Sequence, residues 1–201
     1  MDRASCIIFD MDDVLCHYDF ALRMDLMAEG LGIPAETIVA RIYTSGLDDR
    51  ADAGEFGAEE YLAELTRELG VEVPLELWLR ARRDSMRANH EVLELAQRIG
   101  QNHTVAMLTN NGDLLRRHIA EVFPEVLDVF GARACFSCQF GVAKPKPEVF
   151  LSLLSRLGCD PHEALFIDDT SEYVAGALEA GLQAHLFTGY ENLPSWLKEM
   201  G

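Results

Sequence analysis

The chain has 201 residues, 49% of them hydrophobic and 25% charged, which is the composition of a globular protein and not of a disordered one. Its 34 acids against 17 bases leave a formal net charge of −17. Such a chain repels nucleic acid and anionic lipid surfaces, so an anionic ligand has to be held by a metal or by a few placed cations. Fourteen of the bases are Arg and only three are Lys, at Lys144, Lys146 and Lys198.

The first apolar run, Cys6–Phe9, is short enough for a buried strand and ends at Asp10. It does not read as a signal peptide, and no stretch approaches the ~18 apolar residues of a membrane span. Helical patterns follow at Phe20–Glu29, stopped by Gly30, and at Ala35–Tyr43 after Pro34. Two more lie at Ala58–Leu69, stopped by Gly70, and at Leu75–Asn89 after Pro74. A helix at Glu91–Ile99 places Val92, Leu93, Leu95, Ala96 and Ile99 along one face. From there strand and helix alternate: Thr104–Leu108, Leu114–Phe123, Ala134–Phe136, Pro147–Leu157, Ala164–Ile167, Glu172–Ala180 and Ala184–Phe187. This alternation predicts an α/β fold with a parallel sheet and right-handed crossovers. One interval breaks the rhythm, since a crossover needs only one helix. Residues 18–87 are therefore read as an inserted helical cap, and residues 1–17 and 88–201 as the core. Ligand sites in such sheets form beyond the carboxyl ends of the strands. The insert leaves the core beside that end and is placed to cover it.

The five cysteines, Cys6, Cys16, Cys135, Cys138 and Cys159, are odd in number and lack framework spacing. A reducing cytoplasm is the expectation. Cys135 and Cys138 form one C-x-x-C, but no second ligand pair is spaced for zinc. They read as two thiols on a strand and its following loop.

The residues that end the strands carry the chemistry. Asp10 and Asp12 leave the first strand at i and i+2 and can point into one crevice. Capping a helix needs one such side chain, not two. The second strand ends in Thr109, Asn110, Asn111 and Gly112, a hydroxyl and backbone N–H groups suited to an anion. Lys144 and Lys146 flank Pro145 after the third strand, and Asp168 and Asp169 end the fourth. Asp13 and Asp168 are each also explicable as helix caps. Acids crowded in this way repel one another unless a cation joins them, and Mg²⁺ suits oxygen ligands and substrate phosphate.

This set and its order resemble the haloacid dehalogenase superfamily of phosphohydrolases, over essentially the whole chain. Its motifs appear as Asp10-Met11-Asp12-Asp13-Val14-Leu15, Thr109 with Asn110, Lys144-Pro145, and Phe166-Ile167-Asp168-Asp169-Thr170. The resemblance implies a five-stranded Rossmann-like core, with helices on both faces and a helical cap between the first two motifs. It implies Asp10 as nucleophile, forming an aspartyl-phosphate, and Asp12 as general acid and then base. Mg²⁺ would be held by Asp10, the Asp12 main-chain carbonyl, Asp169 and Asp168. Thr109 and the Asn110 amide would bind phosphoryl oxygens, and Lys144 would neutralise their charge. Two positions depart from the family pattern: Asp13 stands where phosphatases usually carry Gly, and Tyr173 where an Asn is common.

A 2-haloacid dehalogenase shares the nucleophile but lacks a carboxylate at position 12. The favoured expectation is hydrolysis of a small phosphomonoester, such as a sugar phosphate. A hexose phosphomutase and a non-catalytic regulatory relative are the other readings. Residues 23–87 carry eight Arg against fourteen acids, so the cap is no general anion magnet. Arg41, Tyr43, Arg50 and Arg80 are its candidate substrate contacts. No nucleic-acid or membrane partner is expected, and the chain is read as a monomer or homodimer. His17 is read as a solvated or core residue.

Overall fold

The computed structural model describes residues 4–194 and Leu197; Lys198 lies outside this range. Five strands form one sheet: β1 (Cys6–Phe9), β4 (Thr104–Thr109), β5 (Ala134–Phe136), β6 (Ala164–Asp168) and β7 (Gln183–Leu186). Their order is β5-β4-β1-β6-β7, and every pairing is parallel. The chain lays down strands on one side of β1 and then on the other. This puts the topological switch point at the carboxyl end of β1, between β4 and β6.

Alternate residues of each strand feed two different cores, as the pleat requires. Ile7, Phe9, Val105, Met107, Leu165 and Ile167 face one apolar cluster. Cys6, Ile8, Ala106, Leu108, Ala164 and Phe166 face the other. The first face is covered by α6 (His90–Ile99), α7 (Asp113–Val122) and α8 (Glu125–Phe130). The second is covered by α9 (Pro147–Leu157) and α10 (Ser171–Glu179). The fold is thus an α/β Rossmann-like sheet with helices on both faces.

Between β1 and α6 the chain forms α1 (Phe20–Leu31), α2 (Ala35–Ile38), α3 (Leu47–Asp52), α4 (Ala58–Leu69) and α5 (Leu75–Asp84). These helices are bracketed by two strands that sequence patterning did not reveal. β2 (Cys16–Tyr18) and β3 (Met86–Ala88) pair antiparallel, with His17 opposite Arg87. The two chain crossings to the insert are therefore tied together. Three residues apiece are too few to show an alternating pattern, and Leu75–Asn89 reads as one helix until tertiary pairing ends it at Asp84.

Two other helices differ from their sequence patterns. α1 runs through Gly30 to Leu31 and stops at Gly32, which takes the left-handed conformation; a Cβ at Gly30 would meet Leu77 Cδ1 at 2.4 Å. Gly30 is there for close approach of α5 and not to stop the helix. The segment expected as one helix over 35–43 changes after Ile38 into a π-helical turn, Val39–Thr44. Among the described residues no helix is long and apolar enough to cross a membrane.

Candidate active site

Three neighbouring strand ends converge. Asp10 follows β1, Thr109 closes β4 and Asp168 closes β6. Lys144 enters from the loop between β5 and α9 and is fully enclosed, its side chain 0% exposed. Its Nζ lies 2.7 Å from Asp10 Oδ1 and donates to Asp168 Oδ2 at 2.7 Å. One buried ammonium is thus shared between two carboxylates. Asp168 Oδ1 accepts from the Thr170 amide at 2.8 Å. Asp168 thus caps the turn before α10, one of its two sequence readings, and also binds the lysine, which the sequence did not suggest.

The loop carrying Lys144 is held from two sides. The Asn110 side chain donates to the Lys144 carbonyl at 2.9 Å and accepts from its amide at 2.9 Å. Against the other side, α10 comes so close that a Cβ on Gly176 would sit 1.9 Å from the Pro145 carbonyl oxygen. The Tyr173 ring stacks beside the lysine, 4.7 Å from Nζ to its centroid. Tyr173, one of the two departures from the family pattern, thus supplies an aromatic face to the buried ammonium. Asp13, the other departure, has φ +58, and its carboxylate accepts from the Tyr18 amide at 3.0 Å. Asp tolerates this left-handed conformation because its short side chain bonds locally. His17 is exposed on β2 and stands apart from this cluster.

Charge is unevenly matched here. Burial pushes the Asp10 carboxyl well above the ordinary range; Lys144 opposes this, and Asp168 and Asp12 add to it. Burial and the neighbouring Asp168 also raise Asp169. For Lys144, burial works against the charge, but Asp10 and Asp168 outweigh it and hold the ammonium above its usual pKa. Carboxylate oxygens of Asp10, Asp168 and Asp169 lie within 4.8 Å of one another. Three carboxylates against one ammonium, all hard oxygen donors within reach of one another, together fit a divalent cation such as Mg²⁺.

Asp12 is held differently. Its carboxylate faces the inserted helices, where Arg82 Nη2 on α5 straddles both oxygens at 2.8 and 2.6 Å. Asn111 donates to Thr109 Oγ1 at 2.7 Å and reaches Asp12 Oδ2 at 3.5 Å. Arg82 did not stand out in the sequence, and Asn111 was named at its strand end without a side-chain role. Asn111 adjoins a motif position and was within reach of inspection, but Arg82 is one of three arginines within four residues.

The cap residues expected to meet substrate are engaged elsewhere. Arg41 donates to the Glu68 carbonyl at 2.7 Å, and Arg50 pairs with Glu55 at 2.8 Å. Tyr43 packs edge-on against Phe20, with 4.8 Å between ring centroids. Arg80 is exposed. Of the inserted helices, α3 lies against the turn after β5, where its Asp52 carbonyl accepts from Ser137 Oγ at 2.7 Å. Beneath it opens a cavity of about 380 Å³, lined by Asp49, Asp52, Lys144, Lys146, Glu172 and Tyr173. Cys135 is buried on β5 and Cys138 lies in the turn after it, both as free thiols.

With this geometry in view, a sequence model of the haloacid dehalogenase-like hydrolases matches residues 4–181. The chain belongs to that family. Proteins similar to it include phosphatase MT3486 of Mycobacterium tuberculosis, 30% identical, with the alignment covering 90% of this chain and 86% of that one. A predicted hydrolase of the family from Porphyromonas gingivalis superposes with TM-score 0.83 at 23% identity, over 99% of this chain and 98% of that one. The family enzyme BT-2542 of Bacteroides thetaiotaomicron, solved with magnesium and inorganic phosphate, superposes with TM-score 0.78 at 21% identity, over 90% and 93%. The chain is accordingly a haloacid dehalogenase-like hydrolase.

Proposed function

We propose that this hydrolase is a Mg²⁺-dependent phosphatase that cleaves a small phosphomonoester through an aspartyl-phosphate on Asp10. The observation that carries the reading is the pair of carboxylates leaving β1. Asp10 is buried against Lys144, and Asp12, two residues on, stands free of that cluster on the cap side. A dehalogenase has use for the first and none for the second.

Asp10, Asp168 and Asp169, with the Asp12 main-chain carbonyl, would hold the metal. When bound, Mg²⁺ supplies positive charge to the phosphoryl oxygens. The rest of the chemistry falls to the chain. A carboxylate oxygen of Asp10 attacks phosphorus, and the bond to the leaving oxygen breaks. Asp12 gives its proton to that oxygen and the alcohol departs. Asp12 then takes a proton from water, the water oxygen attacks phosphorus, and the bond to Asp10 breaks. Thr109 and the Asn110 amide bind phosphoryl oxygens, and Lys144 balances charge throughout. Most of the rate comes from positioning and charge stabilisation.

Residues 18–87 serve as the cap in this reading, and the substrate's leaving group occupies the cavity under α3. Its acids Asp49 and Glu172 favour a neutral polyol such as a sugar over a second phosphate. This weighs against a mutase, which must retain a bisphosphate. A small phosphorylated metabolite in the cytoplasm is the proposed substrate.

The test is turnover of p-nitrophenyl phosphate and a sugar-phosphate panel with Mg²⁺, abolished by EDTA. Asp10→Asn should fold and be inactive. Undiminished Mg²⁺-dependent turnover in that variant would overturn the mechanism, and halide release from 2-haloacids without Mg²⁺ would replace the reaction.

A further inference from the structure

The geometry points to Arg82, a cap residue, as the positioning residue for Asp12 in proton transfer. The inference rests on the phosphatase reading above and adds a part that the catalytic motifs do not contain.

Arg82 is 1% exposed, although it is a charged side chain on a helix facing the core. Its Nη2 straddles Asp12, and its guanidinium stacks on the Tyr18 ring at 4.1 Å to the centroid. Two of its buried nitrogens, Nε and Nη1, have no hydrogen-bond partner. As a stabilising device this is poor. A buried guanidinium with unmet donors is commonly matched or bettered by an apolar residue of similar size. What Arg82 does accomplish is directional. Asp12 sits in a loop, yet its carboxylate is bounded on three sides, by Arg82, by Asn111 at 3.5 Å and by Cys16 Sγ at 3.7 Å. Arg82 makes the two short contacts and fixes the rotation of the group.

The anchor of Arg82 is the crossing between cap and core. Tyr18 ends β2, and its hydroxyl accepts from Arg23 Nη1 at 3.0 Å. Ser85, directly before β3, donates to the Arg82 carbonyl at 2.9 Å. The paired strands thus supply the aromatic face on which Arg82 rests, and Arg82 itself stands on the helix that leads into β3. The cap therefore orients the residue that protonates the leaving alkoxide and later deprotonates water.

Leaving groups of different basicity test this. An alkoxide needs the proton from Asp12, whereas p-nitrophenolate leaves without it. Arg82→Met, which keeps the apolar stem, is compared with the intact enzyme on glycerol phosphate and p-nitrophenyl phosphate, with Mg²⁺. The expected loss in kcat/KM is about 100-fold on glycerol phosphate and under about threefold on p-nitrophenyl phosphate. On the aryl ester kcat should still fall, with a burst of one p-nitrophenolate per enzyme, because the water step also needs Asp12. Arg82→Lys should recover part of the alkyl activity and stands in if the Met variant fails to fold. Asp12→Asn is the control and should show the same alkyl–aryl split. If it does and the Arg82 variants lose both substrates equally or neither, the assignment to Arg82 is overturned while the phosphatase reading stands. If Asp12→Asn shows no split, Asp12 is not the acid, and both fall.

Discussion

Replacing Lys144 by Met removes the one ammonium between Asp10 and Asp168 while filling most of its volume. The side chain is 0% exposed and its Nζ lies 2.7 Å from each carboxylate. Removing one partner of a buried ion pair costs about 3–5 kcal/mol, and here two carboxylates depend on one cation, so the upper half of that range applies. The contacts of Nζ with the Phe166 and Tyr173 rings, at 5.2 and 4.7 Å, are lost as well. With a urea slope of about 2.5–3 kcal/mol per M, a loss of about 4 kcal/mol lowers the unfolding midpoint by roughly 1.5 M. The measurement is urea unfolding at pH 7.5 of both proteins in EDTA, followed by fluorescence. Adding Mg²⁺ should then restore part of the loss, because a second cation meets the same oxygens. Lowering the pH toward 5 should also narrow the gap, since burial already favours the protonated form of Asp10. Coincident midpoints in EDTA would refute the account of the charge cluster. A gap that Mg²⁺ leaves untouched would refute the fit of these acids to a metal.

Three further outcomes follow from the geometry. Gly176→Ala drives a Cβ into the Pro145 carbonyl, which should cost about 1–3 kcal/mol in urea unfolding and displace Lys144; an unchanged midpoint would show that α10 is not locked to that loop. Burial, with Asp48 and Asp49 nearby, raises Asp52 well above its usual pKa. The folded state then holds a proton that the unfolded chain releases above about pH 3.9, so stability falls as pH rises past that value. Asp52→Asn should be more stable than the parent at pH 7, with the gain vanishing toward pH 4; a destabilised variant at pH 7 reverses the sign and refutes it. Steady-state comparison of glycerol phosphate with phosphoglycolate should favour the neutral leaving group, and Asp49→Asn should reduce that preference; a parent enzyme that prefers phosphoglycolate would remove the acid-lined cavity as a selector.

Much of the site was legible because its chemistry is local to strand ends. Asp10, Thr109 and Asp168 each sit where an apolar run stops, and parallel strands bring their carboxyl ends together; Lys144 lies in the loop after β5 and was marked by being one of three lysines, beside Pro145. The alternation of short apolar runs with helical patterns therefore announced both the sheet and the place where these residues meet. The β2–β3 pair was not legible, because three residues show no period and the pairing spans the whole cap. The cap arginines misled for another reason. Arg41 and Arg50 are chemically as able to meet an anion as Arg82, and only their neighbours, the Glu68 carbonyl and Glu55, decide otherwise.

The sequence by itself determined the order of the strands' chemistry, the acid excess that asks for a cation, and the insertion after the first strand. Those follow from residue type and spacing along the chain. Tertiary structure alone decided that Asp12 faces the cap and that Arg82 meets it from 70 positions away. Arg80, Arg82 and Arg83 lie within one turn of α5, at about 100° per residue. Which of them is buried depends on how the helix is rotated when Leu77, Trp78 and Ala81 pack inward. Arg82 goes in with them, and Arg80 and Arg83 remain in solvent.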